Sequence, residues 1–335
     1  MNVIWYLSDI HACGTVRADV PARALNDLPD MNVVVKEKLS LSDLGFADVA
    51  VVQRGCCGQR LLDMNKLACS GIPVVYDIDD NLLEVPPFFT DAYEYFCKPE
   101  SREALTQCMT SAQLVTVSSA YLGDSICSSS GVNVLTRVVS NCVDLGHADL
   151  TSTVRKDDRF IIMWHGAAIH IHDVHLAAPA IAAVMKDHPH VEFWSYGSME
   201  KKHYEECFPD DLMDRVTVNG WVAPEDLYRV VSLADVAVAP LDSHEFNMCK
   251  SSIKWMEYAA VGVPTIVQNA FPYAELPDWV GRADDVDSLQ AMLDQHIQGK
   301  RVGEGARCRK HCKEWYSSPV VARVWEGVLK DALVL

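Results

Sequence analysis

The sequence has few positive charges for its length. Its 335 residues include 29 Lys and Arg against 46 Asp and Glu, which gives a formal net charge of −17. Such a balance disfavours a broad, charge-driven surface for nucleic acid or anionic membranes. A local basic cleft stays open as an alternative, with Arg17, Arg23, Arg54 and Arg60 as its candidate residues.

Long apolar runs and targeting signals are also lacking. No stretch approaches the roughly 20 apolar residues of a membrane-spanning helix. The first residues show no basic segment followed by an apolar run and a small-residue cleavage site. The sequence therefore predicts a cytoplasmic protein without a transmembrane segment.

The sequence lacks the common motifs of several enzyme classes. No glycine fingerprint of dinucleotide-binding proteins follows the first predicted strand, and there is no P-loop, nucleophile elbow or H-E-x-x-H. These absences argue against dinucleotide oxidoreductases and P-loop hydrolases.

The sequence also lacks a clear pattern of zinc ligands. The 12 cysteines show no paired zinc pattern and are typical of reduced thiols, some of them buried. Cys308, His311 and Cys312 form a C-x-x-H-C, but no second pair accompanies it. We predict no zinc site there.

What the sequence does contain is an alternation of strand and helix patterns. The predicted strands are 3–7, 31–35, 48–53, 73–78, 114–117, 134–139, 159–164, 191–195, 215–218, 235–240 and 265–267. The predicted helices are 19–28, 59–70, 103–110, 120–128, 172–186, 198–208, 225–232, one that opens at 251, and 318–335. This alternation indicates parallel sheets covered by helices on both faces.

The alternation occurs as two series that meet near residues 141–155. We therefore predict two doubly wound α/β domains, residues 1–145 and 146–317. The amphipathic helix 318–335 needs an apolar surface, and we assign it to the first domain.

The segment 246–264, FNMCKSSIKWMEYAAVGVP, is the most informative part of the chain. It reads as a polar loop after a strand, followed by a helix that opens with Ser251 and Ser252. A helix N-terminus with Lys250 beside it can bind a diphosphate. Glu257, farther along the helix, can accept two hydrogen bonds from a ribose. The alternative is an ordinary amphipathic helix with a solvated charged face.

Six blocks of sequence, in order, resemble the retaining nucleotide-sugar glycosyltransferases of the GT-B fold, above all glycosyl transferases group 1. The blocks are 13–17, 71–80, 115–119 with 141–144, 164–173, 219–222 and 246–264. The resemblance implies two Rossmann-like domains facing a cleft, with the C-terminal helix crossing back to the N-terminal domain. It also implies a nucleotide-sugar donor and neither a cofactor nor a metal.

The resemblance assigns most donor-binding residues to the second half of the chain. The donor-binding residues are Gly14 in the first half and, in the second half, Gly166, Trp221, Val222, Asn247, Ser251, Ser252, Lys254 and Glu257. Its catalytic candidates are Asp79, His170 and Lys250. The family's usual first glutamate falls on Cys249, so Glu245, Asn247 or loop amides must bind the transferred sugar instead. Without the resemblance, Gly14 reads as an ordinary turn glycine.

An acidic cluster ends the strand at 73–78. Asp79 aligns with a position where many relatives have a histidine, and Arg17, Asp77 and Asp80 are assigned to the acceptor side. A paired-carboxylate metal site and a plain acidic turn are the alternatives. A second metal alternative rests on four histidines: His165, His170, His172 and His175.

The implied activity is transfer of a hexosyl or pentosyl group to an acceptor hydroxyl with retention at the anomeric carbon. The acceptor is a glycan, a small molecule or a hydroxylated nucleobase in DNA, and the net charge disfavours DNA. Two alternatives stay open: a nucleotide-sugar epimerase of the same fold, and a non-catalytic nucleotide-sugar binder.

Overall fold

The computed structural model describes residues 1–8, 12–55, 57–153 and 155–335. The strands within this part of the chain are β1 (Asn2–Tyr6), β2 (Asn32–Lys36), β3 (Val49–Gln53), β4 (Val74–Ile78), β5 (Leu114–Val117), β6 (Thr136–Val138), β7 (Phe160–Gly166), β8 (Val191–Gly197), β9 (Val216–Asn219), β10 (Val236–Ala239), β11 (Thr265–Gln268) and β12 (Arg282–Ala283).

The α-helices follow the strands closely in sequence. They are α1 (Ala12–Gly14), α2 (Val20–Asn26), α3 (Leu41–Leu44), α4 (Gly58–Cys69), α5 (Thr90–Phe96), α6 (Pro99–Ser111), α7 (Ala120–Ser130), α8 (Leu145–Thr151), α9 (Ile171–Asp187), α10 (Lys201–Glu205), α11 (Leu227–Val231), α12 (Glu245–Met248), α13 (Ile253–Ala260), α14 (Val286–Ile297), α15 (Glu304–Trp315) and α16 (Ser318–Val334). A π-helical turn, Thr15–Asp19, joins α1 to α2.

The described strands form two parallel sheets of six strands each. Their orders are β2-β1-β3-β4-β5-β6 and β12-β11-β10-β7-β8-β9. The central strands are buried along their whole length, as the continuous apolar runs at 49–53 and 74–78 predict for a parallel sheet covered on both faces. The predicted α/β class with two doubly wound sheets is confirmed.

The chain divides into two compact units. The first consists of Met1–Val143, Met248–Ser251 and Trp315–Leu335, and the second of Asp144–Asn247 and Ser252–Glu314. The sequence placed residues 248–251 in the second domain, so their grouping with the first unit is a finding of the structure. Local sequence cannot reveal such a grouping, because it depends on contacts with residues more than 100 positions away.

The C-terminal helix α16 covers one face of the first sheet. Its buried apolar side chains share a core with those of β1 and α2, and the ring centroids of Trp5 and Trp325 lie 4.6 Å apart. Trp325 is fully buried. The apolar stripe of α16 is therefore satisfied within the first unit, as its amphipathic pattern predicted.

Helix α9 forms the centre of the second unit's core. The stretch Ala168–Asp187 is long and apolar enough, by length and composition alone, to cross a membrane, although the sequence analysis predicted no such stretch. Half of its most apolar part is buried within the protein. Val174, Ile181 and Met185 pack in the core of the second unit, which is the behaviour of a core helix.

Several predicted helices are shorter in the structure, and some of the observed ones were not predicted. Residues 198–208 contain only Lys201–Glu205 as α-helix. The short helix α12 occupies part of the segment that was expected to be a polar loop.

His296 in α14 is a buried histidine that makes the stability of the second unit sensitive to acid. Burial lowers its pKa from 6.5 to about 4, against the opposing charge of Glu304. The unfolded chain binds a proton near pH 6.5, so the contribution to stability is complete above that pH and is lost as the pH falls towards 4. We expect His296→Gln to reduce the loss of unfolding free energy over this window by about 3 kcal/mol, at about 1.4 kcal/mol for each pKa unit. Urea unfolding at a series of pH values measures the free energy of unfolding of both proteins. The same dependence on pH in the variant and the wild type would contradict the prediction.

Candidate active site

The carboxyl ends of β7 and β8 come together at two glycines. Gly166 pairs with Gly197, whose φ is +137°. A Cβ atom on Gly197 would lie 1.8 Å from the carbonyl oxygen of Gly166. A Cβ atom on Gly166 would lie 2.6 Å from the Trp164 indole and 3.3 Å from Lys254 Nζ. Only glycine fits at these two positions, and the predicted donor-site residue Gly166 lies beside Lys254.

His170 and Asp173 form a hydrogen-bonded pair at the start of α9. His170 Nδ1 lies 2.6 Å from Asp173 Oδ2. The other carboxylate oxygen, Oδ1, accepts hydrogen bonds from the Asp242 N–H at 2.7 Å and from Asn247 Nδ2 at 3.1 Å. Asp173 is buried, with 2% of its surface exposed, so its lone pairs are satisfied by protein groups.

These contacts keep Asp173 ionised and orient His170. Burial raises the pKa of Asp173, but the hydrogen bond and charge of His170, the Asp242 N–H and the charge of Lys254 outweigh it and lower the pKa below its usual value. An ionised carboxylate accepts a hydrogen bond from Nδ1–H, which fixes the tautomer and the orientation of the His170 ring. The sequence predicted His170 but treated Asp173 only as the start of a helix.

We expect Asp173→Asn to lower kcat by about ten- to a hundred-fold, because an amide no longer fixes the tautomer of a group that assists charge or proton transfer. The donor KM should change little, since the substitution keeps the shape of the side chain. Steady-state kinetics measure both constants. In a His170→Ala background the same substitution should add almost nothing, and a full additional loss of kcat there would rule out the proposed coupling.

Helix α13 carries the predicted Lys254 and Glu257. Ser252 is its N-cap residue and is buried, and it makes no side-chain capping bond. Lys254 Nζ lies 4.5 Å from the centroid of the Trp164 ring. Glu257 Oε2 lies 3.2 Å from His165 Nε2. The structure thus brings Gly166, Lys254 and Glu257 to the carboxyl end of β7.

Trp221 and Val222 lie in the loop that follows β9. Trp221 is 66% exposed and Val222 is half-buried. The preceding Gly220 accepts a hydrogen bond from the N–H of Gly197 at 3.2 Å, which ties this loop to the glycine end of β8. An exposed indole is suited to stack on a nucleobase, whereas the sequence singled out Trp221 and Val222 only as donor-binding residues.

Asn247 has one buried polar atom without a hydrogen-bond partner. Its Nδ2 donates to Asp173 and to the carbonyl of Asp242 at 3.0 Å, whereas Oδ1 is buried and accepts no hydrogen bond within the described part of the chain. Such an atom is costly to bury, and a ligand hydroxyl would satisfy it.

Cys249 is a core residue of the first unit. Its side chain is fully buried in the apolar cluster that includes Ile78 and Leu82. The position where the family has its first glutamate therefore does not face a polar site here. A charged side chain would be expensive in this environment.

The two residues after Cys249 are held by polar contacts within the same unit. Lys250 Nζ lies 3.3 Å from Asp80 Oδ1. Ser251 Oγ accepts a hydrogen bond of 2.7 Å from Asn141 Nδ2. The sequence predicted that Lys250 and Ser251 face a diphosphate, and it did not foresee the contacts with Asp80 and Asn141.

Arg54 links a cluster of polar groups at the carboxyl ends of β3 and β4. Its φ is +49°, an uncommon backbone conformation for a residue other than glycine. Its guanidinium lies 3.3 Å from Asp79 Oδ1, 2.9 Å from Asp80 Oδ2 and 3.0 Å from Cys13 Sγ. With Lys250 on the other oxygen of Asp80, the two carboxylates face two cations. The sequence singled out Arg54 only as part of a general basic cleft.

Asp79 is the most perturbed group of this cluster. It is 7% exposed. Burial raises its pKa, Asp80 and Asp77 raise it further, and Arg54 and Arg17 oppose the rise without cancelling it. A carboxyl group with a raised pKa is suited to exchange a proton with a substrate hydroxyl.

The assignment of Arg17 and Asp77 to the acceptor side is not supported. Arg17 is 1% exposed and Asp77 is fully buried, and they form an ion pair with each other. Arg17 also donates to the carbonyl of Val139 and to Asn141, and Thr116 donates to Asp77. We revise both residues to structural members of the first unit, because all their polar groups are used inside it.

Gly14 is helical, not part of a glycine loop. It ends α1 with φ −60° and ψ −41°, angles open to any residue. Residues 9–11 of the predicted turn lie outside the described residues. The predicted role of Gly14 therefore has no support from its backbone conformation.

The candidate metal sites have little support among the described residues. Among the described residues, the one group with metal-ligand spacing is Cys13, Asp79 and Asp80, which already faces Arg54 and Lys250. The four histidines form no such group in the same part of the chain. Cys308 and Cys312 are buried, and burial raises the pKa of each thiol to about 12, which disfavours the thiolate that zinc requires.

Three of the four arginines considered for a basic cleft have their donors used within the first unit. Arg17 and Arg54 are paired with carboxylates, and Arg60 donates to the carbonyls of Leu7 and Glu37. An arginine whose donors are used in this way contributes little to a phosphate-binding surface.

The sequence of the second unit matches a family of known proteins. Residues 159–295 match the family model described as glycosyl transferases group 1. The resemblance to glycosyl transferases group 1 is confirmed. The matched segment contains the His170–Asp173 pair, Asn247 and the Lys254–Glu257 pair of α13. No curated protein sequence matches the chain significantly.

Solved structures of glycosyltransferases share the fold. Anabaena HepE, solved in complex with UDP-glucose, is 13% identical, with a TM-score of 0.68 over 99% of this chain and 100% of that one. AviGT4, a glycosyltransferase involved in avilamycin A biosynthesis, is 12% identical, with a TM-score of 0.65 over 100% of this chain and 98% of that one. The fold is therefore GT-B, as the sequence predicted.

An enzyme of another class is also similar. A protein described as a UDP-N-acetylglucosamine 2-epimerase from Listeria monocytogenes is 12% identical, with a TM-score of 0.59 over 98% of this chain and 95% of that one. The fold alone does not separate transfer from epimerisation, so the side chains of the site must do so.

Proposed function

We propose that the protein is a retaining glycosyltransferase that moves a sugar from a nucleoside diphosphate to an acceptor hydroxyl. One observation carries the proposal: the buried Asp173 holds His170 and Asn247 at the carboxyl end of the second sheet, within the segment that matches glycosyl transferases group 1. In open α/β sheets, ligands bind at this end of the strands.

The donor nucleotide binds through α13, the residues just before it and the loop after β9. Glu257 accepts hydrogen bonds from the ribose hydroxyls, and the exposed Trp221 stacks on the base. The backbone N–H groups in the first turn of α13 and the side chain of Lys250 bind the diphosphate. UDP is the first candidate nucleotide, because HepE was solved with UDP-glucose.

The reaction breaks the bond between the anomeric carbon and the diphosphate oxygen. Negative charge develops on the diphosphate, and Lys250, the α13 amides and His170 stabilise it more in the transition state than in the ground state. The acceptor oxygen bonds to the anomeric carbon on the face that the diphosphate leaves, and its proton passes to a leaving phosphate oxygen. No cofactor or metal takes part in this scheme.

The transferred sugar contacts Asn247. Cys249 replaces the family's first glutamate and is fully buried, so it cannot bind the sugar. The buried Oδ1 of Asn247 accepts no hydrogen bond from the described residues, and a sugar hydroxyl would supply one.

The acceptor hydroxyl lies next to Asp79 and Asp80 in our proposal. Its class is a glycan or another neutral hydroxyl compound. The net charge of −17 and the involvement of Arg17, Arg54 and Arg60 in contacts within the first unit disfavour DNA.

Epimerisation of the donor sugar is the second candidate, and one observation favours it. An epimerase needs an acid and a base, and the raised pKa of Asp79 suits such a role. Against it, Arg54 and Lys250 pair with the two carboxylate oxygens of Asp80, the group that would have to act beside Asp79.

Incubation with radiolabelled nucleotide sugars separates the candidates. Donors that carry uracil, guanine or adenine are tested with and without a mixture of glycan and small-molecule acceptors. Acceptor-dependent release of nucleoside diphosphate, with label in the acceptor, supports transfer. An interconverted nucleotide sugar would establish an epimerase, and binding without turnover would establish a non-catalytic binder.

A further inference from the structure

Glu257 has a partner in the second unit that no motif singled out. Its Oε2 lies 3.2 Å from Nε2 of His165, the residue before Gly166 in β7. Both side chains are mostly buried, at 14% and 13% exposure. The His165 ring also packs against Tyr258, with the ring centroids 5.0 Å apart.

The contact is close but incomplete. His165 Nε2 is buried and has no hydrogen-bond partner among the described residues, so the 3.2 Å approach lacks hydrogen-bond alignment. A buried N–H in this state gains from any small rotation of Glu257 that completes the bond. His165 Nε2 is therefore placed to donate to one oxygen of Glu257, while the other lone pairs of the carboxylate are available to further donors.

We propose that His165 is a positioning residue that orients Glu257 to bind both ribose hydroxyls of the donor. His165 donates to Oε2 of Glu257, and the fixed carboxylate then accepts hydrogen bonds from the 2′- and 3′-hydroxyls. The pair makes the protein select ribonucleotides over deoxyribonucleotides. This inference rests on the proposed function, in which Glu257 binds the ribose.

The test compares ribose with dideoxyribose in the same nucleotide. Calorimetric titrations measure Kd for UDP, GDP and ADP and for the 2′,3′-dideoxy form of each. Two variants are matched: His165→Phe keeps the ring against Tyr258 without a donor, and His165→Gln keeps a donor near the Nε2 position. His190→Phe is the control, because His190 is exposed and lies just before β8, at the amino end of the strands.

We expect the wild type and His190→Phe to prefer the tightest ribonucleotide over its dideoxy form by about thirty-fold. His165→Phe should lose most of this preference because its ribonucleotide Kd rises, while its dideoxynucleotide Kd stays the same. His165→Gln should recover part of the preference. In a double-mutant cycle with Glu257→Gln, the two losses should not add.

The outcomes that would overturn the role of His165 differ from those that would overturn the proposed function. If the wild type binds and discriminates, but His165→Phe and His165→Gln discriminate equally well, His165 does not position Glu257. A parallel loss for ribose and dideoxyribose forms would assign His165 a purely structural role. If the wild type binds no nucleotide, or binds both forms equally, the donor site of the proposed function is itself wrong.

Discussion

Replacing Lys250 with alanine is expected to lower kcat/KM for the nucleotide-sugar donor by about a thousand-fold, roughly 4 kcal/mol of transition-state stabilisation. In the proposed mechanism, the side chain supplies a full positive charge beside the oxygen that becomes negative as the sugar leaves. Most of the loss should appear in kcat, because the charge on the diphosphate grows in the transition state. Release of nucleoside diphosphate over a range of donor concentrations gives both constants.

The contact between Lys250 and Asp80 provides the matched comparison. At 3.3 Å, Asp80 competes with a diphosphate for the ammonium group, so Asp80→Asn should tighten donor binding while Lys250→Ala weakens it. Lys66→Ala, which removes an exposed lysine paired with Asp63 on α4, should leave both constants unchanged. Equal activity of Lys250→Ala and the wild type would remove Lys250 from the site.

The fold could be predicted from the sequence because the strands of parallel sheets are continuous apolar runs. The runs at 49–53, 74–78 and 236–239 are buried along their whole length, and each was predicted within one or two residues. Short helices without an apolar stripe gave no such signal. Helix α5 has no buried residue, and it was not predicted.

Asn247, Lys254 and Glu257 could be singled out from the sequence because they lie in one short segment with a recognisable order, and their donor-binding role stays a prediction. Asp173 was undervalued, since its role depends on Asp242 and Asn247, about 70 residues away. His165 was considered only as a metal ligand, because its contact with Glu257 crosses from β7 to α13.

Two errors in the first unit have one physical cause. The sequence shows that Arg17 and Asp77 are charged, but it does not show that they form an ion pair. Charged residues are usually exposed, so a buried ion pair is recognised only when the structure shows both partners. Lys250 shows the opposite case. Its charge was recognised, whereas its contact with Asp80, 170 residues away, required the structure.

Replacing Glu257 with alanine is expected to weaken binding of the donor and of the free nucleoside diphosphate alike, by about thirty- to a hundred-fold, or roughly 2–3 kcal/mol. The variant loses the carboxylate that, in the proposed function, accepts hydrogen bonds from the ribose hydroxyls, and it removes the Glu257 oxygen that lies near His165 Nε2. Because the ribose is bound equally in the ground and transition states, KM should rise while kcat changes little. Titration calorimetry gives the affinities, and steady-state kinetics give the separation of KM from kcat.

A second glutamate in the same segment shows whether this effect belongs to the ribose. Glu245, in the short helix α12, is one of the residues that could replace the family's first glutamate. Glu245→Ala should leave the affinity for the free nucleoside diphosphate unchanged and alter only binding of the intact nucleotide sugar. The two ligands differ only by the sugar. Loss of affinity for both ligands in Glu257→Ala, with loss of affinity for the nucleotide sugar alone in Glu245→Ala, would therefore separate ribose binding from sugar binding. Unchanged affinity for both ligands in Glu257→Ala would show that α13 does not bind the nucleotide.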